Sequence, residues 1–196
     1  MNRTVRSIVI AATLSLAAAA CTAGGGDGDR ASSPPKPQGI PLRELDEVAL
    51  NGDPMATVET EFPDGHARPV GEVRFGEYRV VAYVTGKKCG ISVFDAKKSE
   101  TIGLRTAWPR NLDEGSAKLP GGPYYSSSAQ SSVRSGPWAS LSCGTNSMII
   151  EYESKDSSEA SPPNGSASVQ RSAGKRTHFV VIGSKDVRAR ILKKLS

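Results

Sequence analysis

The chain has 196 residues, a formal net charge of +5, a pI near 9.2, three cysteines and two histidines. Removing an N-terminal leader and a polar tether leaves about 155 residues, enough for one domain with a real core. The basic balance does not point to nucleic acid, because the basic end of the chain holds only Phe179 as an aromatic and so lacks the stacking surface of a single-strand binder.

The N-terminus, MNRTVR, is short and basic. Residues 7–20 (SIVIAATLSLAAAA) form an apolar stretch of signal-peptide length, too short and too Ala-rich for a membrane span. Ala18, Ala19 and Ala20 stand directly before Cys21. This arrangement resembles a lipobox, after which the thiol is lipidated and becomes the new N-terminus. The position three before the cysteine, usually Leu, is Ala18, with Leu16 two residues further out. Residues 22–37 (TAGGGDGDRASSPPKP) cannot bury enough apolar surface to fold. They read as a tether with an r.m.s. reach of roughly 20–25 Å. Leader, lipobox and tether together resemble the small exported lipoproteins common in actinomycetes. That resemblance implies a lipid anchor on the extracytoplasmic face of the cell membrane, and it implies nothing about activity. The expected organisation is a signal peptide at 1–20, a lipid-anchored tether at 21–39 and a folded domain at 40–196.

From residue 40 the chain changes to short runs of Val, Ile, Thr, Tyr and Phe broken by Gly, Pro, Asn, Asp and Ser. Weak strands are expected at 45–50, 56–62 and 72–75. The clearest strand is 78–85 (YRVVAYVT), which turns through 86–88 into 89–95 (CGISVFD). Alternation puts Cys89, Ile91 and Val93 on one face of that second arm. A third strand runs over 101–108. A second hairpin joins 138–143 (WASLSC) to 147–153 (SMIIEYE), with Leu141 and Cys143 inward on one arm and Met148, Ile150 and Tyr152 on the other. Residues 178–183 (HFVVIG) and 187–192 (VRARIL) read as a third hairpin. Two long segments, 109–137 and 154–174, read as loops; the second has the composition of disorder. No stretch sustains a helical period, and the best helix candidate, residues 191–195, is too short to matter. The fold expected is all-β: a single antiparallel sandwich or partly open barrel of about eight to ten short strands.

With Cys21 acylated, Cys89 and Cys143 remain as an even pair in an oxidising compartment and read as one disulfide. Without a nearby His they make a poor metal site. Residues 174–196 carry Lys175, Arg176, Lys185, Arg188, Arg190, Lys193 and Lys194 against Asp186 alone, a net +6, so the rest of the mature chain is acidic.

Catalytic signals are sparse. His66 lies in the turn PDGHARP, and His178 opens a strand. There is no G-x-S-x-G, no metal-ligand cluster and no Gly-rich phosphate loop between strand and helix. Glu59 with Glu61, and Glu151 with Glu153, sit two apart on strands, roughly 6–7 Å along the chain. That spacing overlaps the separation used by glycosidases, but alternating Glu is also how a solvent-facing strand looks. Trp108, Tyr124, Tyr125 and Trp138 could line a surface for sugar or peptide, or could be core residues and their cover. Arg188, Arg190, Lys193 and Lys194 could face anionic lipid or wall polymer, or simply solvent.

The expectation is therefore a membrane-anchored, non-enzymatic binding or interaction module of the cell envelope, with no cofactor. The alternatives are a wall-modifying hydrolase using paired carboxylates and an accessory subunit of an envelope complex. The expected partners are the membrane through the lipid, then anionic lipid, wall polymer or an envelope protein, and no nucleic acid. Lipidation is tested by mass spectrometry of the membrane fraction, which should find a diacylglyceryl adduct on Cys21 as first residue. Unchanged membrane association of a Cys21→Ala variant would refute it.

Overall fold

A computed structural model describes residues 39–52, 55, 66–86, 88–97, 99–109, 122–132, 136–155 and 159–196. The leader, Cys21, the tether and the strand expected at 56–62, with Glu59 and Glu61, lie outside the described residues.

The strands form two antiparallel sheets of five. In the first, β1 (Arg68–Phe75), β2 (Tyr78–Val84), β3 (Lys88–Phe94) and β4 (Glu100–Ala107) follow one another as a meander, and β8 (Asn164–Gly165) joins beyond β1. In the second, β5 (Tyr125–Gln130), β6 (Trp138–Cys143) and β7 (Ser147–Glu153) form a meander extended by β10 (Thr177–Gly183) and then β9 (Ala167–Arg171). Helix α1 (Lys185–Leu195) follows β10, and among the described residues a short 3-10 helix spans Leu42–Glu44. The architecture is an all-β sandwich. The chain passes from one sheet to the other where β8 runs into β9, and β4 lies beside β5 at the opposite edges.

Period-two alternation builds the interior. Val80, Ala82 and Val84 of β2, Cys89, Ile91 and Val93 of β3, and Ile102 and Leu104 of β4 face Leu141 and Cys143 of β6, Met148, Ile150 and Tyr152 of β7, and Val180 and Ile182 of β10. Cys89 and Cys143 are fully buried and form a disulfide between β3 and β6, with Cα atoms 6.4 Å apart. The outer faces are covered too. Met55, Ala67, Val81, Tyr83 and Phe94 form a second cluster on the first sheet. On the second sheet, Tyr124, Ile149 and Val181 pack against Val187 and Ile191 of α1. This two-sided burial is why 78–84 and 178–183 read as nearly continuous apolar runs. Gly90 sits opposite Tyr83 in the β2–β3 register, and a side chain there would collide with the Tyr83 ring at 2.3 Å. The ring is held over this bare backbone by a hydrogen bond that Arg105 Nε donates to its hydroxyl, 2.9 Å long.

Several expectations are corrected. The third hairpin does not form: residues 187–192 are helical, not a strand. Val187, Ile191, Leu192 and Leu195 make one apolar stripe in a helix, whereas a strand would split Ile191 from Leu192. Gly183 adopts φ +152°, where a side chain would meet the Asn146 carbonyl at 2.8 Å, and it turns the chain from β10 into α1. Asp186 in the first turn and Lys193 and Lys194 in the last suit the helix dipole.

Residues 45–50 are irregular, not a strand; Leu42 and Leu45 plug the main core, and Val48 N–H donates to Pro69 O at 2.9 Å. β1 starts at Arg68, before the expected 72. The segment 109–137 contains β5, and 154–174 contains β8 and β9. These last strands are polar because they lie at or near sheet edges and are held by backbone bonds more than by burial, as where Ser166 N–H donates to Val70 O at 3.0 Å.

His178 is not an edge residue. It lies inside β10 between Tyr152 of β7 and Arg171 of β9, is 5% exposed, and has its ring 4.9 Å from that of Phe75. Its Nδ1 has no hydrogen-bond partner. Burial, and then the charge of Arg171, hold its pKa below the ordinary histidine value. The unfolded chain therefore binds a proton that the fold resists, so stability is lost as pH falls below about 6.5. Glu72 titrates lower down. Burial alone would raise it, but hydrogen bonds and charge from Arg79 and Arg74 outweigh that and hold it below the usual carboxylate range. Denaturant unfolding between pH 7 and pH 5 should therefore lose stability more steeply in the wild type than in His178→Phe. Parallel losses in the two proteins would remove His178 as the cause.

Candidate functional site

The register fixes what the second sheet presents outward. Gln130 of β5 pairs with Trp138 of β6, Trp138 with Glu153 of β7, and Glu153 with Thr177 of β10, so these four form one cross-strand row. The next rows bring Ser128, Ser140, Glu151 and Phe179 together, then Ser126, Ser142, Ile149 and Val181. All lie on the face opposite the core, because their neighbours Ala139, Leu141, Ile150 and Tyr152 point inward. Helix α1 covers the β10 side of this face through Val187, Ile191, Leu192 and Leu195. The β5–β6 side is lined by serines, with Ser126 Oγ 2.8 Å from Ser142 Oγ.

The four candidate aromatics do not form one patch. Tyr124 is buried under α1, its hydroxyl 2.7 Å from Ser147 Oγ; burial, partly offset by that hydrogen bond, pushes its pKa up to about 12. Tyr125 begins β5 opposite Cys143, whereas Trp138 lies at the other end of β6, about 17 Å away along the strands. Trp108 packs against the main core. Trp138 lines an open cleft, of about 420 Å³, with Gln130, Gly136, Glu153, Ser154, Lys155 and Arg176. Gln130 Nε2 donates to the carbonyls of Gly136 at 2.8 Å and Pro137 at 3.2 Å, which fixes the side chain at the cleft wall.

The candidate cations separate in the same way. Arg188 is half-buried, and its donors go to Ser168 Oγ at 2.9 Å and Gly183 O at 2.6 Å. It ties α1 to β9 and to the end of β10, and burial lowers its pKa. Arg190, Lys193 and Lys194 are exposed on α1. The helix runs back along β10, so its end returns to the β9–β10 turn: Gln170 Nε2 of β9 donates to Ser196 Oγ at 3.1 Å. Arg171, Lys175 and Arg176 of that turn thus share one end of the molecule with Lys193 and Lys194. Trp138 and Glu153 lie at the same end, because Glu153 pairs with Thr177.

Of this site, Trp138, Lys193 and Lys194 are legible in the sequence. Arg176 is legible as a cation of the basic end, but its place beside Trp138, like those of Gln130 and Lys155, requires the β5–β6 and β7–β10 registers. A cue was present: the expected strand 178–183 begins two residues after Arg176. Glu151 is half-buried and Glu153 exposed, both on the outer face. A larger cleft, about 510 Å³, is lined by Arg43, Glu47, His66 and Arg68 at the start of β1; Arg68 is occupied there with the carbonyls of Leu45 and Arg43. Among the described residues no group of three or more His, Cys, Asp or Glu is placed to hold a metal ion. The chain matches no protein-family model, and neither a curated protein nor a solved structure is detectably similar to it.

Proposed function

We propose that this protein is a non-enzymatic binding module of the cell envelope, anchored through a lipid on Cys21, whose basic end rests against a polyanionic surface. The observation that carries the reading is the convergence of Arg171, Lys175 and Arg176 with Lys193 and Lys194 where α1 returns to the β9–β10 turn. Each cation near an anionic surface contributes about 1 kcal/mol within a Debye length. Lipid headgroups and acidic wall polymers offer the same repeated negative charge, so either can be the surface.

The alternatives have weaker support. A hydrolase would need converging acids in a cleft. Glu151 and Glu153 stand side by side on one sheet face, and the cleft beside Trp138 is lined by Glu153 without Glu151. An accessory subunit would need a broad apolar face. Among the described residues Ile40 is the one exposed large apolar side chain.

Binding of the full chain to anionic vesicles and to an acidic polymer, each against a neutral counterpart, should weaken as salt rises through 0.1 M, where screening acts over about 10 Å. A double Lys193→Gln, Lys194→Gln variant should bind severalfold more weakly at low salt. Salt-independent binding, or equal binding by the variant, would refute the electrostatic reading. Turnover of a glycan or ester that Glu151→Gln abolishes would replace it with the hydrolase.

A further inference from the structure

The Trp138 cleft has a chemistry different from that of the basic end beside it. We propose that it binds one ring of an uncharged polysaccharide, the C–H face of the pyranose stacked on the indole and its hydroxyls shared among Glu153, Arg176 and Gln130. The inference goes beyond the polyanion reading, because it names a second ligand, without charge, at a separate site.

The described lining carries the argument. A volume of about 420 Å³ lies in the lower part of the range of small-ligand sites and suits one or two rings. Trp138 is the aromatic wall, and no Val, Leu, Ile or Met stands among the lining. Lys155 already has an interaction of its own, so it is not counted toward a ligand. Glu153 and Arg176 remain, one charge of each sign, so an ion of either sign meets one attraction and one repulsion. A wholly apolar ligand would desolvate both and return little for it. Glu153 as a carboxylate accepts only, and Arg176 donates only. Gln130 has spent its Nε2 on the carbonyls of Gly136 and Pro137, which leaves its Oε1 to accept. The ligand must therefore bring donors and acceptors close together, no net charge and one apolar face. A pyranose ring has all three, since each of its hydroxyls both donates and accepts.

The surroundings point to a sugar chain. The cleft opens on a sheet face, where β6 and β7 are paired on both sides, so an extended peptide finds no free strand backbone on them. From the cleft, the rows Ser128–Ser140–Glu151 and Ser126–Ser142 continue the same outer face along β5 and β6, away from the β9–β10 turn. Ser126 and Ser128 are exposed, and Ser140 and Ser142 are half-buried. Hydroxyls along this track suit the neighbouring units of a neutral chain. Glu151 accepts from a hydroxyl there but repels a polyanion, so an acidic polymer held at the basic end gains nothing by continuing along it.

The test is a titration of the full chain with tetramers of glucose, mannose, galactose and N-acetylglucosamine, followed by tryptophan fluorescence and calorimetry. A galacturonate tetramer serves as the anionic counterpart of the galactose one. At least one neutral tetramer should bind. Its affinity should be unchanged between about 0.1 M and about 1 M salt, over which the Debye length falls from about 10 Å to about 3 Å. Trp138→Ala should weaken it about tenfold or more, and Trp138→Phe should restore part of the loss. Glu153→Ala should weaken it severalfold. Near-ultraviolet circular dichroism and thermal unfolding establish that each variant is folded. Should Trp138→Ala lose its fold, Trp138→Phe and Glu153→Ala decide the matter alone. No binding of any neutral tetramer, binding that weakens as salt rises, unchanged binding in the Trp138 and Glu153 variants, or tighter binding of the galacturonate tetramer than of every neutral one would overturn the proposal. The Lys193→Gln, Lys194→Gln variant should keep neutral-tetramer binding while losing vesicle binding. Loss of one without the other therefore tells which of the two readings has failed.

Discussion

The disulfide between Cys89 and Cys143 is the constraint on which the arrangement depends. It joins β3 of one sheet to β6 of the other inside the main core, 54 residues apart in sequence. Closing a loop of that length removes unfolded-state freedom worth about 4 kcal/mol on the chain-entropy estimate. Its geometric consequence matters as much. β3 and β6 are both interior strands of their sheets, so pinning them sets how the inward residues of β2, β3 and β4 meet those of β6, β7 and β10. Once the inner faces are fixed, period-two alternation leaves no choice for the outer ones. Trp138, Ser140 and Ser142 must point away from Ala139, Leu141 and Cys143.

The site follows from how that outer face is covered. An eleven-residue helix is too narrow to roof a five-stranded sheet. α1 lies over the β10 side, tied there by Arg188 to Ser168 and Gly183 and by its apolar stripe to Val181 and Ile149. The serine rows and Trp138 remain beyond its edge. Because the helix runs back along β10, its basic last turn is delivered to the β9–β10 turn, where Arg171, Lys175 and Arg176 stand. Charge that is spread over more than twenty residues of sequence becomes local by this reversal, and it becomes local beside the cleft.

The legibility of this chain varies by element for physical reasons. The hairpins around Cys89 and Cys143 could be read because their burial is written as alternation: Cys89, Ile91 and Val93, or Met148, Ile150 and Tyr152. The helix could not be read from Val187 and Ile191 alone, since a four-residue spacing shares a face in both a strand and a helix. Leu192 and Leu195 break the tie. β5 and β9 left little apolar signal, because Tyr125–Gln130 and Ala167–Arg171 are edge strands completed by backbone hydrogen bonds to β6 and β10. Chain proximity does not bring the four aromatics together in space. Tyr124 and Tyr125 are near Trp138 in sequence, but the β5–β6 register sends them to opposite ends.

If the cross-link sets the packing of the sheets, removing it must cost more than two buried sulfur atoms. The direct measurement is equilibrium urea unfolding of a Cys89→Ala, Cys143→Ala variant beside the oxidised wild type, with hydrogen exchange followed on both sheets. The account predicts a loss of about 2–5 kcal/mol, the usual cost of removing a native disulfide, with faster exchange on β3 and β6 together. A loss of only a few tenths of a kcal/mol, or faster exchange confined to one sheet, would contradict it.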